Sequence, residues 1–509
     1  MKPQQIGIID MGSNSIRFVI YDINEVGCIK QIQNLKVVAR LSSYIDEKGN
    51  MTSEGIETIL HTLERFSIVA SNYELSIVRG VATAAIRNAN NQDEILQAIR
   101  EQDAFQIQVL SDKEEAYYGY LAVTNSTDII NGITIDIGGG STEVTLFENR
   151  ELFSYHSFPF GAITLKKFIH NDPPTREELN TLREYVRKEY ETLSWTKNRG
   201  LPVIGIGGSA RNIASIHQRQ QLYPLSGLHQ YEMEKTDIHF VNRSLITMSL
   251  KERQQLEGLS KDRADIIIPA AIAIEELLNI ASASSFIVSN KGLRDGLFSE
   301  LYLKPIGIRH YPNVAEESFY QLSQDYSLDL NFQKKIAILA TFLAKELINN
   351  IDFSLKDRDI KLLQWSARIY FIGGAIHPES KSQHTFYLLT NQTIDGLNHK
   401  ERLAIACIAS FKSKSQLKQY LSPFQQLISD EDRNKFEVLG AILKLCYALN
   451  YTNRNVIESL RVKKLNTEKC IIELTHSDDV YFEEFQANKN KRHLEKALGI
   501  QFELTFIPV

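Results

Sequence analysis

A glycine loop that ends in a carboxylate is the first feature of the sequence that could do chemistry. Gly138, Gly139 and Gly140 are consecutive and precede Ser141 and Glu143. The β-branched and aromatic residues on both sides predict two short strands joined by a tight connection. Because glycine has no Cβ, its backbone amide can approach a ligand closely, which suits a phosphate group. The loop has neither the strand-to-helix order of a dinucleotide fingerprint nor the ending of a Walker loop.

A second copy of this segment lies near the N-terminus. The copies match at four positions, which are Asp10 with Asp136, Gly12 with Gly138, Ser15 with Ser141, and Arg17 with Glu143. We therefore expect an internal duplication in which two strand–loop–strand units face each other across a cleft. Arg17 places a cation at the exit of the first loop, and Glu143 places a carboxylate at the exit of the second. An ordinary hairpin turn is the alternative for either copy taken alone.

A third glycine turn occurs in the segment VIGIGGSARNIA, residues 203–214. A strand there is predicted to run directly into a helix. The free amides and positive dipole of a helix start suit a phosphate, which makes Gly207, Gly208 and Ser209 candidate ligands. Close packing of strand and helix is the alternative explanation for the glycines.

Two neighbouring glutamates begin a predicted helix in the segment SDKEEA. Ser111 followed by Glu114 is the pattern of a capping box, which engages Glu114 with backbone amides. Glu115 is then free to act as a general base for water. Stabilisation of the helix start is the alternative role for Glu115, since a carboxylate there is favoured by the helix dipole.

Arg87 follows a strand that breaks into small residues, in the segment GVATAAIRNANN. Small side chains permit close approach of the backbone, and a guanidinium can bind phosphate oxygens through parallel hydrogen bonds. The alternative is an ordinary surface arginine.

Composition restricts the class of protein. The chain has 509 residues, 43% of them hydrophobic and 23% charged, which predicts a globular protein of two to four domains. The net charge of -5 gives no general attraction to a polyanion, so we expect no nucleic-acid partner. Four scattered cysteines and the lack of a long apolar run predict a cytoplasmic protein without a membrane span.

Several motifs in the first 300 residues resemble one known family. In order, they are DMGSNSIR, VATAAIRNA, SDKEEA, DIGGGSTE, GIGGSARNIA, LSKDRADIIIPA and SNKGLRDGL. The sequence is similar to the exopolyphosphatase/guanosine pentaphosphate phosphohydrolase family, within the actin, sugar kinase and heat-shock chaperone superfamily.

The resemblance implies an α/β fold of two ribonuclease H-like, actin-like lobes with a cleft between them. A mainly helical domain similar to the HD metal phosphohydrolases and a small α/β C-terminal unit would follow. The expected division is residues 1–127 for lobe I, 128–303 for lobe II, 304–450 for the helical domain and 451–509 for the terminal unit. We also expect a homodimer.

The same resemblance implies roles for individual residues. Glu115 would be the base that activates water, and Glu143 its partner at the metal. Asp136, with help from Asp10 and Glu143, would hold Mg²⁺ or another divalent cation. The phosphoryl ligands would be Ser13, Asn14, Ser15, Arg17, Arg87, Gly138, Gly139, Gly140 and Ser141, and the third glycine turn would add its own amides.

The implied reaction is hydrolysis of terminal phosphoanhydride bonds of inorganic polyphosphate. Two alternatives stay open at this point. One is hydrolysis of guanosine pentaphosphate by the same loops, and the other is a sensor that binds an alarmone or nucleotide without turnover. Glu115 and Glu143 argue against the sensor.

The helical domain departs from the HD pattern. Tyr370 and Phe371 stand where that fold would place its His-Asp metal pair, and His384 and His377 lie nearby without carboxylates. Two imidazoles alone make a poor site for a hard metal ion. We therefore expect this domain to bind or to dimerise without catalysing.

Overall fold

The computed structural model describes residues 3–351 and 353–509. The chain forms two compact units. The first runs to Tyr223 and resumes over Leu228–Val314, and the second comprises Pro224–Gly227 and Ala315–Val509. The first unit holds both α/β lobes, and the second holds the helical region and a small sheet.

The first lobe is built on a five-stranded sheet. Its strands are β1 (Gln4–Met11), β2 (Ile16–Ile23), β3 (Ile29–Val37), β4 (Leu75–Ala82) and β5 (Ile107–Val109), in the order β3-β2-β1-β4-β5. The first three strands are antiparallel, and β4 and β5 run parallel to β1. Its helices are α1 (Ser53–Ala70), α2 (Ala84–Arg87), α3 (Gln92–Gln102) and α4 (Asp112–Thr124).

Helix α1 shows why this sequence folds locally as it does. Thr52 caps its first turn by accepting a hydrogen bond from the Gly55 amide at 3.3 Å. Ile59, Leu63 and Phe66 recur at helical spacing and are buried in the core of the lobe. This helix covers one face of the sheet from which the first glycine loop projects.

The second lobe repeats the first and adds one strand. Its strands are β6 (Gly132–Ile137), β7 (Thr142–Glu148), β8 (Glu151–Phe158), β9 (Val203–Ile206), β10 (Tyr231–Met233) and β11 (Phe286–Val288), in the order β10-β11-β9-β6-β7-β8. Strands β6, β7 and β8 are antiparallel neighbours, while β9 and β11 continue parallel to β6. Apart from the added edge strand β10, this is the arrangement of the first sheet.

Helices surround the second sheet. They are α5 (Ala162–Leu165), α6 (Arg176–Glu191), α7 (Gly207–Gln220), α8 (Lys235–Ile246), α9 (Leu250–Arg253), α10 (Ile267–Ala281) and α11 (Leu293–Leu303). The most apolar segment of the sequence forms α10, which is buried against the sheet. Its Glu276 is ion-paired with Arg183 at 2.9 Å and with Arg187 at 3.1 Å. Among the described residues, no helix has the length and apolar character needed to span a membrane.

The second unit is mainly helical. Its helices are α12 (Val314–Asp325), α13 (Leu330–Asn350), α14 (Asp357–Arg368), α15 (Lys381–Asn391), α16 (His399–Ala409), α17 (Lys414–Leu421) and α18 (Asp430–Ala448). A small sheet of β12 (Ile457–Lys464), β13 (Lys469–His476) and β14 (Gln501–Pro508) follows, with α19 (Tyr481–Asn490) and α20 (Arg492–Leu498) in the parallel crossover from β13 to β14.

The expected fold class of two α/β lobes, a helical region and a small terminal α/β unit is confirmed. The expected boundary at residue 127 lies in the connection between α4 and β6, and the one at 450 lies between α18 and β12. The two compact units separate at Val314–Ala315, beyond the expected boundary at residue 303. We keep the four-part division as a proposal.

Candidate active site

The two glycine loops are the same structure used twice. Two cross-strand pairs occupy equivalent places, Asp10 opposite Arg17 and Asp136 opposite Glu143. One backbone hydrogen bond closes each loop in the same way, from Gly12 N to Ser15 O at 3.1 Å and from Gly138 N to Ser141 O at 3.0 Å. The alignment of the two sequence copies therefore corresponds to an equivalence in space.

Both loops line one cleft of about 660 Å³ in the first unit. Most of the predicted site residues line it as well, namely Asp10, Ser13, Asn14, Ser15, Glu115, Asp136, Gly138, Gly139, Ser141, Glu143, Gly207 and Gly208. In the described part of the chain, four predicted residues do not, which are Arg17, Arg87, Gly140 and Ser209.

Two of these four have clear partners elsewhere. The Arg17 guanidinium donates to Asn34 Oδ1 at 3.3 Å, on the third strand of the sheet. Ser209 is 2% exposed, and its hydroxyl donates to the Ile137 carbonyl at 3.4 Å. Ser209 thus joins α7 to the end of β6, which is a packing role for that part of the third glycine turn.

Arg87 lies behind Glu115. Its Nη1 donates to Glu115 Oε2 at 2.7 Å and to the Leu110 carbonyl at 3.0 Å, and its Nη2 lies 2.5 Å from Asp112 Oδ1. Glu115 is outside the capping box, as expected, but Arg87 engages one of its two carboxylate oxygens, which the sequence did not predict. The capping box is present as predicted, since Glu114 Oε2 accepts from the Ser111 amide at 2.8 Å.

Glu115 is the best-placed general base. Its side chain is 18% exposed, and none of its hydrogen bonds to described residues uses Oε1. Burial raises the pKa of Glu115 to about 7, against the opposing effect of the Arg87 charge, and the negative charges of Asp136 and Asp10 raise it further. A carboxyl group with a pKa near neutrality is suited to accept a proton from water.

Glu143 is a buried carboxyl group, 5% exposed, at the exit of the second loop. Its Oε1 accepts a hydrogen bond from Ser157 Oγ at 3.0 Å, across the strand pair β7–β8. Burial raises the pKa of Glu143 well above its usual value, and the charges of Glu115 and Asp136 raise it further. Ionisation of Glu115, Asp136 and Glu143 together therefore costs free energy unless a cation is close to them.

Asp136 and Asp10 occupy equivalent positions in the two lobes. Burial is the largest cause that raises the pKa of each. Asp10 lies 3.4 Å from the Arg294 guanidinium. Gly207, with a φ of +80°, lies against Asp136, and a Cβ there would come within 2.3 Å of the Asp136 Oδ1 atom. Position 207 thus requires glycine for two reasons, which are the positive φ of the turn and the close approach of its backbone to the Asp136 carboxylate.

Sequence reasoning missed the cations of the cleft. Six basic side chains line it, which are Arg40, Lys166, Arg211, Lys261, Arg263 and Arg294. The Arg263 guanidinium lies over Gly208, where a Cβ would meet its Cζ at 2.3 Å. Burial lowers the pKa of both Arg211 and Arg263, and the Arg263 charge lowers that of Arg211 further. Four of the six lie in the motifs that carry the family resemblance, which are Arg211, Lys261, Arg263 and Arg294. Their place in those motifs is the signal from which they could have been predicted.

The carboxylates of the cleft fit a hard divalent cation. Asp10, Glu115, Asp136 and Glu143 all line it and all have raised pKa values. Within the described residues, no group of three or more His, Cys, Asp or Glu side chains has the spacing of a complete metal site. Mg²⁺ is commonly held by one or two carboxylates together with water and substrate phosphate. The donor set is therefore compatible with a metal that binds together with substrate.

Aromatic side chains fill the place of the HD metal pair in the second unit. The rings of Tyr370 and Phe371 lie 4.0 Å apart, and that of Tyr447 lies 5.2 Å from Tyr370. The Lys381 ammonium lies 4.4 Å from the Phe371 ring centre. His377 is exposed at the surface. This part of the domain is a packed aromatic cluster with a fixed cation.

Comparison with known proteins agrees with this fold and cleft. The model of the "Ppx/GppA phosphatase family" matches residues 19–304. The model of "Ppx/GppA phosphatase, domain III" matches residues 314–496. The chain belongs to the Ppx/GppA phosphatase family.

Similar sequences and solved structures cover somewhat more than half of the chain. "Exopolyphosphatase 1" of Mycobacterium tuberculosis is 27% identical over 309 residues, which are 58% of this chain and 87% of the relative. "Exopolyphosphatase 2" of the same organism is 28% identical, over 58% of this chain and 97% of the relative. The crystal structure of the Aquifex aeolicus Ppx/GppA family member has a TM-score of 0.54 at 27% identity and covers 60% of this chain and 99% of that one.

Proposed function

We propose that this protein is an exopolyphosphatase, which hydrolyses the terminal phosphoanhydride bond of inorganic polyphosphate and releases orthophosphate. The observation that carries the proposal is Glu115, which lines a cleft of phosphate-binding loops and cations with Oε1 available. The names of the two mycobacterial relatives support polyphosphate as the substrate.

Glu115 acts as the general base in this proposal. Arg87 fixes one carboxylate oxygen through the 2.7 Å hydrogen bond, which leaves Oε1 to accept the proton of a water molecule. The water oxygen forms a bond to the terminal phosphorus as the bond to the bridging oxygen breaks, with the two oxygens in line. Orthophosphate and a chain one unit shorter are the products.

The loops and cations hold the substrate. Backbone amides of both glycine loops and the hydroxyl groups of Ser13, Ser15 and Ser141 supply donors at the cleft surface. Arg211 and Arg263 supply charge from the third glycine turn and from the segment before α10. Buried guanidinium groups bind phosphate more strongly than exposed ones, because less water competes for their hydrogen bonds.

Asp136, Asp10 and Glu143 are the residues proposed to hold Mg²⁺ or another divalent cation. When bound, the ion would neutralise charge on the phosphoryl oxygens. The hydrogen bond from Ser157 fixes the orientation of the Glu143 carboxyl group beside Glu115.

Phosphate release from long-chain polyphosphate and from guanosine pentaphosphate, measured side by side with Mg²⁺, tests the proposal. We expect polyphosphate to be the better substrate, judged by kcat/KM, and we expect long chains and free phosphate with few intermediates in a chain-length analysis. Fragments of intermediate length from the start would indicate internal cleavage. Preference for guanosine pentaphosphate would assign the same cleft to the nucleotide instead.

The assembly and location of the protein are also proposals. We propose a cytoplasmic homodimer in which the second unit binds or dimerises without catalysing, with no nucleic-acid or membrane partner. Sedimentation of the full chain at several concentrations would test the dimer, and a monomer at all of them would contradict it.

A further inference from the structure

A second cavity, of about 570 Å³, lies in the helical unit, far along the sequence from the catalytic motifs. Helices α12, α13 and α14 form its walls. Most of its lining residues belong to α13, among them Gln333, Ala337, Ile338, Phe342 and Lys345. Its volume is in the range of pockets that bind small molecules.

The wall of this cavity exposes apolar side chains. Leu330 and Ile338 are each 42% exposed, and Phe342 is 57% exposed. All three belong to α13, at a spacing that places them along one side of the helix. An apolar strip at the edge of a concave cavity favours a ligand with a flat or aliphatic body, since contact removes that surface from water.

A buried amide group lies in the same cavity without a full set of partners. Gln333 is 6% exposed, and its Oε1 accepts no hydrogen bond among the described residues. Leaving a buried acceptor unpaired is unfavourable, because it loses its hydrogen bonds to water without replacement. A ligand that offers an N–H or O–H donor to Gln333 would recover this free energy. Gln364 and Thr341, which are hydrogen-bonded to each other at 3.2 Å, provide further polar contacts.

The charged residues of the cavity are all basic. Lys334, Lys345 and Arg368 line it, and no described acidic residue does. Arg368 is paired with Glu316 at 2.5 Å. Lys334 and Lys345 are exposed and form no ion pair with any residue that the structure describes. These two ammonium groups on α13 favour an anionic group on the ligand.

We propose that this cavity binds a nucleotide, which combines a flat base with N–H donors and an anionic phosphate. The base would lie against Ile338 and Phe342 and donate to Gln333 Oε1, and the phosphate would lie toward Lys345. A fatty carboxylate offers no donor to Gln333, and bare polyphosphate leaves the apolar wall uncovered. The proposal is independent of the reaction assigned to the cleft.

Calorimetric titration of the full-length protein with ADP and with GDP tests the proposal. Tripolyphosphate is present throughout to compete for the cleft. Adenosine, guanosine, tripolyphosphate alone and dodecanoate are titrated separately. We expect saturable binding of at least one nucleotide in the presence of tripolyphosphate, and binding at least about tenfold weaker for adenosine, guanosine and dodecanoate, the equivalent of one lost interaction. Tripolyphosphate alone gives the signal of the cleft.

Two variants assign the binding to the cavity. Ala337→Trp fills it, and Lys345→Glu reverses a charge at its rim, so each should weaken nucleotide binding by about tenfold or more. Lys361→Glu is the matched control, because Lys361 is an exposed lysine on α14 outside the cavity lining. Phosphate release from polyphosphate at saturation should be the same in all three variants.

Several results would overturn the proposal. They are the absence of nucleotide binding at millimolar concentration, binding that Ala337→Trp and Lys345→Glu leave unchanged, and tighter binding of dodecanoate than of either nucleotide. Dissociation of an oligomer by Phe342→Glu, together with no nucleotide binding, would instead make the apolar strip a contact between copies of the chain. None of these results bears on the reaction in the cleft.

Discussion

The two glycine hairpins differ at one position that decides what each can do. β1–β2 and β6–β7 have the same register and the same backbone hydrogen bond across the loop, yet the residue opposite the aspartate is Arg17 in one and Glu143 in the other. Both side chains bond to the third strand of their sheet, Arg17 to Asn34 and Glu143 to Ser157. Only Glu143 also lines the cleft.

This difference shows how a duplicated unit can acquire two functions. The backbone of each hairpin is determined by glycine and by the strand register, so it is unaffected by the identity of the residue at the exit. In the proposed function, the first hairpin binds phosphate with its loop alone. The second adds a carboxyl group beside Glu115, where burial and neighbouring charge raise the pKa of both. The chemistry is therefore expected to depend on the second lobe and on α4.

Replacing the proposed base should have the largest effect. We expect Glu115→Gln to lower kcat by about 10² to 10⁴, the usual range for loss of a general base, with KM for polyphosphate little changed. Glu114→Gln is the control, because Glu114 caps the same helix from the preceding position. Because Gln keeps the capping-box hydrogen bond and loses only the charge at the helix start, it should reduce stability by less than about 1 kcal/mol and leave turnover per folded molecule unchanged. A larger loss of kcat in Glu114→Gln would reverse the assignment.

Substrate binding should depend next on the buried cations. We expect Arg263→Gln to raise KM for polyphosphate by about 10- to 100-fold, since a hydrogen bond to a charged group contributes about 1.5–3 kcal/mol. Arg243→Gln, an exposed arginine on α8 outside the cleft, is the control. Steady-state kinetics at several salt concentrations would measure both. Equal KM values for the two variants would mean that Arg263 does not contact substrate.

The sequence predicted the hairpins but not the cations, for a physical reason. Alternating apolar residues and glycines are local signals, and they were enough to predict both strand–loop–strand units and the capping box at Ser111. The cleft positions of Arg211, Arg263 and Arg294 depend on how α7 and α10 pack around the second sheet and on how α11 packs against α4 and β1, which is not a local property. The pairing of Arg87 with Glu115 likewise joins residues on separate elements, and local reasoning left both side chains free.

The raised pKa of Glu143 makes a prediction about stability. The folded state holds a proton that the unfolded state releases near pH 4.5, so stability should fall as pH rises above about 4.5. Glu143→Gln removes this penalty and should raise Tm at pH 8 relative to wild type, by about 2–4 °C per kcal/mol, with little change at pH 4.5. Calorimetry in EDTA would measure this. Glu257→Gln, at an exposed position, should follow the wild-type pH profile.

The smallest expected effect tests the comparison of the hairpins most directly. Sequence resemblance predicts Arg17 as a phosphate ligand, whereas its guanidinium bonds to Asn34 and lies outside the cleft lining. Burial and the Arg294 charge lower the pKa of Arg17. Removing the Arg17 charge therefore removes a repulsion from Arg294 as well as an attraction to the substrate phosphate. We expect Arg17→Gln to change KM for polyphosphate by less than about threefold, the equivalent of an exposed ion pair. A loss as large as that in Arg263→Gln would mean that Arg17 turns into the cleft when substrate binds, and that the exit residue of the first hairpin contacts the phosphate chain.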